Sequence, residues 1–308
     1  MNEQIQGGGA AVPRETLTVF QKGFNYSQDG PGNRLIYHLQ GCNMACRWCA
    51  NPEGMPARPP LMAVKSPLLD AVCPHGAVRD GVLDRALCRG CVGRECVTVH
   101  KNDGLVCRGE TVAVQKLADE ADRSRGMFFD GGGVTLTGGE PTCQFDGVRA
   151  LLTELKARGI STAVETNGTH PGLPSLFPLI DTLIMDFKHP DDQMHKAFTG
   201  VGNGLIRQNV RRAVRAHPRV QLRVPLIGGF NVGEAELEGF LAFFKGLKAE
   251  GPAGADFTLE FLRYHEFGKP KWGQCGLEYR MENGAVPAAW VGRYEEAFRR
   301  AGFAVVRT

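Results

Sequence analysis

Long hydrophobic runs are missing from this sequence. No apolar stretch approaches the ~20 residues that a bilayer-crossing helix needs. Met1 to Pro13 is polar and glycine-rich, without the apolar centre of a secretory signal. Both absences point to a cytoplasmic protein with no membrane partner. Charge of one sign is also scarce, since 36 Lys and Arg against 33 Asp and Glu leave a net +3 over 308 residues. The basic residues are spread along the chain rather than blocked, so no nucleic-acid partner is expected.

Cysteine, by contrast, is abundant. Eight of the ten cysteines lie between Cys42 and Cys107, and in a reducing compartment such clusters are metal ligands more often than disulfides. What this stretch lacks is a fourth cysteine in its leading group, Cys42-x3-Cys46-x2-Cys49. A structural zinc or an ordinary iron-sulfur cluster takes four protein ligands, so a compact triplet predicts a metal site with one coordination position open for chemistry. Cys143 and Cys275 stand alone and read as small buried hydrophobes. The forty glycines bunch at 131–133, 138–139 and 228–229 rather than forming a low-complexity tract, which favours close backbone approach or tight turns over disorder.

The length suits one large domain or two modest ones. A loose tail to about residue 15 and a short strand near Leu17 to Phe20 precede the first clear strand, Leu35 to Leu39, which delivers the cysteine loop. From residue 59 to 108 the periodicity fades and cysteines punctuate the chain, so three segments are expected: 1–58, an insertion over 59–108, and 109–308. After Arg108, helix and strand patterns alternate, as in parallel βα units. Helices are expected near Val112 to Arg123, around Val148, Leu151, Leu152 and Leu155, around Leu237 to Phe244, and near Tyr294 to Ala301. Strands are expected near Val134 to Leu136, Ser161 to Val164, Leu183 to Met185, Gln221 to Leu226, Phe257 to Phe261 and Ala304 to Val306. The fold class is therefore α/β. Polar motifs sit just after several of the strands, the catalytic face of a barrel.

The cysteine loop, with Trp48 just before its last cysteine, resembles the hallmark of the radical S-adenosylmethionine superfamily. Its flanks, Ser27-Gln28-Asp29-Gly30-Pro31-Gly32-Asn33-Arg34 and Trp48-Cys49-Ala50-Asn51-Pro52-Glu53, resemble those of the activating enzymes of glycyl radical enzymes, such as pyruvate formate-lyase activating enzyme. The likeness runs from about Phe20 to Tyr279. It implies a partial (β/α)6 TIM-type barrel with a small iron-sulfur insertion. It also implies an oxidoreductase whose catalytic [4Fe-4S] cluster sits on Cys42, Cys46 and Cys49 and binds S-adenosylmethionine at the open iron. Reductive cleavage would yield a 5′-deoxyadenosyl radical that takes hydrogen from a backbone glycine of a partner enzyme. A flavodoxin or ferredoxin donor and a monomeric state are further expectations of the likeness.

The insertion resembles clostridial-type ferredoxins, in which the cysteine before each proline ligates the other cluster. Crossed ligation would place Cys73, Cys88, Cys91 and Cys96 on one auxiliary [4Fe-4S] cluster, with Cys107 as an alternate to Cys73. Structural zinc on the same cysteines is the plainer alternative.

Thr137-Gly138-Gly139-Glu140 resembles the family motif that holds the amino group of the cofactor's methionine. Glu165-Thr166-Asn167 and Asp186-Phe187-Lys188 resemble segments that contact the cofactor and, in some members, a monovalent cation. Arg223 and His265 match positions lining the cofactor site, Arg223 as a bidentate partner for the methionine carboxylate. His195 with Thr199-Gly200, and Asn209, match further family segments, whereas Gly229-Phe230-Asn231-Val232 stands where the family usually has an asparagine-aspartate pair. Two other functions fit parts of the pattern: a radical enzyme acting on a small molecule, such as a deazapurine synthase, and a non-catalytic electron carrier. The carrier leaves the three-ligand loop unexplained.

Overall fold

The alternation near Leu17 to Phe20 belongs to a much longer strand. In the computed structural model, which describes residues 15–88, 91, 93–99, 103–251 and 257–308, β1 spans Thr16–Tyr26. It pairs antiparallel with β2, Asn33–Leu39, through a register that shifts between Val19 and Gln21. Burial is concentrated in the first half of β1, which is why only that half carries an apolar signal. The tail expected at the N-terminus lies outside the described residues.

The other edge of β1 pairs with β3, Glu110–Ala113. Periodicity assigns Val112 to the following helix, but α1 is Val114–Arg123. Pairing with residues far away in sequence decides this segment, and no local pattern reports it.

Parallel strands joined by helical connections then follow: β4 (Gly133–Gly138), α2 (Phe145–Ala157), β5 (Thr162–Thr166), the 3-10 segment Leu173–Leu179, β6 (Thr182–Asp186), α3 (Asp192–Thr199), α4 (Gly204–Ala216), β7 (Val220–Leu226), α5 (Glu234–Glu250), β8 (Phe257–Arg263), α6 (Lys269–Gln274), α7 (Ala288–Arg300) and β9 (Ala304–Val306). One sheet runs β3-β1-β2-β4-β5-β6-β7-β8-β9, and every pairing from β2 to β9 is parallel. Strands β2 and β4 to β8 are the set of a partial (β/α)6 barrel, and β9 adds one more parallel strand. The sheet ends at β3 and β9, so among the described residues the barrel remains open.

Helices cover the outer face by the periodicity read from sequence. In α2 the buried side chains are Val148, Leu151, Leu152 and Leu155, and α5 buries Leu237, Phe240, Phe243, Phe244 and Leu247. Phe187, just past β6, stacks on Phe243 with ring centres 4.2 Å apart, which fixes the end of β6 against α5.

The floor of the barrel is closed by a charged residue. Arg34 on β2 is fully buried. Its guanidinium donates to Thr135 Oγ1 at 2.7 Å, to the Val134 carbonyl at 2.7 Å and to the Ser161 carbonyl at 3.1 Å. Burial lowers its pKa to about 10, and these oxygens hold a cation that would otherwise be costly to bury.

The inserted segment has its own small core of Leu61, Leu68, Val72, Val78, Cys96 and Leu105. Antiparallel pairing of Leu61–Ala63 with Leu105–Cys107 brings its two ends together beside the barrel.

Candidate active site and cluster sites

The cysteine loop leaves β2 and is stitched to the rest of the barrel mouth on two sides. On one side Gly139 donates to the Leu39 carbonyl at 2.9 Å and Glu140 to that of Gly41 at 2.7 Å, while Gly41 donates to Gly54 and Cys42 to Met55. A side chain at position 139 would put its Cβ 2.3 Å from the Gly41 oxygen and 2.5 Å from that of Gly54. Gly138 has φ +123°. The paired glycines thus let β4 lie against the cysteine loop itself.

On the far side the loop hangs from the end of α3, where Ala45 donates to Thr199 at 2.8 Å and Arg47 to Phe198 at 3.2 Å. His195 supports this anchor through Nδ1, which contacts the Val201 carbonyl at 2.5 Å and Thr199 Oγ1 at 3.2 Å. Burial drives its pKa down to about 4, so the ring is neutral.

Cys42, Cys46 and Cys49 are brought together at this mouth. Burial pushes all three thiols up to about 12, with mutual repulsion adding to it. As bare thiols they would keep their protons; a cluster would displace them, as metals do at cysteine sites. The surroundings fit such a group. Backbone N–H of Met44 points to Cys42 Sγ at 3.4 Å and the Asn167 amide approaches it at 4.0 Å. Lys188 is the nearby cation: burial opposes its charge, but Asp186, Cys46 and Cys42 raise its pKa overall. Its ammonium is paired with the Asp186 carboxylate.

Glu140 is nearly inaccessible, and its carboxylate is already satisfied by the protein. It accepts from Thr142 N at 3.0 Å, Thr142 Oγ1 at 2.5 Å, Thr166 Oγ1 at 2.7 Å and Asn167 N at 2.7 Å. Its carboxylate therefore ties the end of β4 to the end of β5, leaving the Gly138-Gly139 backbone and Thr137 nearest the mouth.

Arg223 departs from the sequence expectation in the same way. The fork expected to grip a ligand carboxylate holds Glu260 Oε2 through Nε at 2.7 Å and Glu165 Oε1 through Nη1 at 2.6 Å, and Nη2 is on the Gln28 carbonyl. Glu165 also accepts from Thr137 Oγ1 at 2.9 Å. Asp29, from the β1–β2 turn, completes this network; burial and the Glu165 charge push its carboxyl up to about 6.

His265 is likewise not turned into the mouth: its ring is exposed and stacks on Phe267 with centres 4.5 Å apart. Asn209 holds the Gly168 and His170 carbonyls at 2.9 and 2.8 Å. Asn231, in the segment that departs from the family pattern, clamps the Lys188 carbonyl at 2.7 Å.

In the insertion, Cys73, Cys88, Cys91 and Cys96 line one cavity of about 140 Å³. Cys107 is not among the lining residues, but its sulfur lies 2.6 Å from the guanidinium of Arg94, which is part of the cavity wall, and 3.7 Å from the Pro59 carbonyl. Two residues that the sequence did not flag stand at the cavity rim: His75 meets Glu95 at 3.1 Å, and with Cys91 they offer ligand atoms within 4.8 Å of one another. Their spacing follows no ligand motif, so only the fold reveals them.

The fold and the three-thiol mouth define a class. A family model for the Radical SAM superfamily matches residues 36–243. A crystal structure of a radical SAM methyltransferase from Sphaerobacter thermophilus shares the fold, with a TM-score of 0.51 and 16% identity over 95% of this chain and 72% of that one. Two relatives are nearer in sequence. The isethionate sulfite-lyase activating enzyme of Desulfovibrio desulfuricans is 33% identical over 271 residues, 82% of this chain and 84% of the relative. The (2S)-3-sulfopropanediol sulfolyase activating enzyme of Bilophila wadsworthia is 35% identical over 283 residues, 86% and 90% of the two chains. The chain belongs to the radical SAM superfamily and, within it, to the activating enzymes of glycyl radical enzymes. Among the described residues no helix is long and apolar enough to cross a membrane.

Proposed function

We propose that the barrel mouth is the S-adenosylmethionine site of a cytoplasmic glycyl radical enzyme activase, and that the insertion, residues 59–108, carries one auxiliary [4Fe-4S] cluster. The observation that carries this reading is the convergence of Cys42, Cys46 and Cys49 with the ends of β4, β5 and β6. Three cysteine ligands leave one iron open, and the amino and carboxylate groups of the cofactor's methionine suit that position. A cluster held by Cys42, Cys46 and Cys49, once reduced by an external donor, would supply the one-electron reduction of the cofactor's sulfonium on which hydrogen abstraction from a backbone glycine of the partner enzyme depends.

The chain's own groups do the positioning. Carbonyls of the Gly138-Gly139 turn accept from the methionine ammonium, the turn being held against the cysteine loop by the close backbone approach that its glycines allow. Lys188 offsets the negative charge of the thiolates and faces the ligand's carboxylate or ribose. Glu140, Thr166 and Asn167 lock the ends of β4 and β5 so that both acceptors hold still. Asn231 and Asp186 do the same for Lys188. The open side of the sheet leaves room for an extruded loop of the partner, whose release from its own fold makes association slow.

The auxiliary cluster is assigned to Cys73, Cys88, Cys91 and Cys96 because these four share one cavity. Cys107 is set aside as a ligand because Arg94 and Pro59 already engage it.

Anaerobic protein reconstituted with iron and sulfide, reduced, and given S-adenosylmethionine should release 5′-deoxyadenosine and methionine, and the variant lacking Cys42, Cys46 and Cys49 should release neither. That triple variant should retain about four irons from the auxiliary cluster. Cleavage by the triple variant, or zinc in place of those irons, would overturn the corresponding assignment.

A further inference from the structure

The stretch from Tyr264 to Gly276 touches both cluster sites at once. At the catalytic end, the buried Trp272 on α6 donates its indole N–H to the Cys49 carbonyl at 2.9 Å. Its neighbour Lys271 donates to Asn51 Oδ1 at 2.8 Å and to Glu53 Oε1 at 2.7 Å. Glu53 is fully buried and its other carboxylate oxygen has no partner, so Lys271 is what balances its charge. Gly268 lies so close to the loop that a Cβ there would stand 2.5 Å from Ala50 Cα and 2.7 Å from the Cys49 oxygen. Three separate contacts thus grip residues 49–53, the exit of the cysteine loop.

At the other end the grip belongs to the insertion. Arg85, which lines the cavity shared by Cys73, Cys88, Cys91 and Cys96, donates to the Gln274 carbonyl at 2.6 Å and to the Leu61 carbonyl at 2.7 Å. Gly276, with φ +71°, is needed here, because a Cβ would fall 2.0 Å from Arg85 Nε. Leu61 begins the strand that closes the base of the insertion. Arg85 therefore joins three things: the wall of the cysteine cavity, the base of the insertion and the C-terminal turn of α6.

We propose that α6 is a clasp through which the insertion sets the position of the catalytic cysteine loop, with Trp272 and Lys271 as positioning residues and Arg85 as the connection to the insertion's cavity. This rests on the assignment of a cluster to each cysteine group. A filled cavity orders the wall that carries Arg85, Arg85 holds Gln274, and the short helix transmits that hold to the Cys49 carbonyl within one turn. Loss of the connection leaves all three catalytic ligands in place and loosens the backbone they hang from.

The test compares reconstituted wild type with R85Q, R85K and W272F by hydrogen exchange over residues 46–54, by the electron paramagnetic resonance spectrum of the reduced catalytic cluster, and by iron content. W272F keeps an aromatic side chain but deletes the indole N–H donor, together with part of the buried ring. It should speed exchange at these amides about fivefold, the factor expected from losing one buried hydrogen bond, and shift the spectrum. R85Q should produce the same two changes, although its site is in the insertion, and R85K, which keeps the charge without the fork, should fall between R85Q and wild type. R85K also serves as the measured variant if R85Q does not accumulate. Unchanged exchange and an unchanged spectrum in the arginine variants, whatever W272F does, would overturn the proposal. Wild type with only about four irons would instead show that the auxiliary-cluster reading is at fault, a result the iron analysis gives independently.

Discussion

Glu165 and Arg223 form an ion pair of 2.6 Å across the barrel lumen, joining β5 to β7 over the intervening β6. Arg223 is almost entirely buried and also pairs with the buried Glu260 at 2.7 Å. Three carboxylates, counting Asp29, thus gather round one guanidinium, and burial with the Glu165 charge pushes the Asp29 carboxyl up to about 6.

R223M should therefore act on stability before it acts on the cofactor. Removing one partner from a buried ion pair leaves uncompensated charge and costs ~3–5 kcal/mol. A marked fall in the thermal midpoint, with S-adenosylmethionine affinity of the folded fraction little changed, is the expected outcome. Full stability with weakened binding would instead assign the guanidinium to the ligand carboxylate, as the family likeness implies.

Asp29 gives the barrel a pH dependence of defined sign. Its carboxyl titrates near 4 in an unfolded chain and at about 6 in the fold, where burial and Glu165 favour the protonated form. Its contribution to stability is present below pH ~4 and is lost as pH rises through about 6. An infrared band of a protonated carboxyl should titrate near pH 6 in the wild type and vanish in D29N; its presence in D29N would move the proton to another residue.

The choice between Cys73 and Cys107 is open to a direct comparison. In a background lacking Cys42, Cys46 and Cys49, C73A should lose the remaining iron and sulfide, whereas C107A should retain about four irons. The reverse pattern would mean that the cavity around Cys73, Cys88, Cys91 and Cys96 is not the ligand set.

K188M should keep its iron and lose affinity for S-adenosylmethionine. A hydrogen bond from a charged donor contributes ~1.5–3 kcal/mol, so the dissociation constant measured by calorimetry should rise at least about tenfold. Unaltered affinity would confine Lys188 to its pairing with Asp186.

Much of this site was legible in the sequence, because local spacing encodes it. The Cys42, Cys46 and Cys49 triplet, the Gly138-Gly139 turn and the strand ends carrying Glu165 and Lys188 are all short-range patterns. Motif matching was less informative about what each group touches. Glu140 and Arg223 are spent on protein partners, and His265 is exposed, because such roles depend on contacts between strands. Asp29 lay within a flank that marks the family, but nothing nearby in sequence discloses its approach to Glu165. Glu53 and Trp272 show the same limit: one follows the cysteine loop and the other lies on α6, and only the folded chain brings both to it. Periodicity places Val112 and Ala113 in the following helix although they end the strand Glu110–Ala113, because that strand's partner, β1, is remote in the chain.

The central claim is that the hydrogen donor is a glycine of a protein partner. Mixed anaerobically with its cognate glycyl radical enzyme, a reductant and S-adenosylmethionine, the protein should raise the electron paramagnetic resonance doublet of a glycine-centred radical in that partner, with 5′-deoxyadenosine formed alongside. Formation of 5′-deoxyadenosine while the partner stays radical-free and a small metabolite is consumed would contradict it.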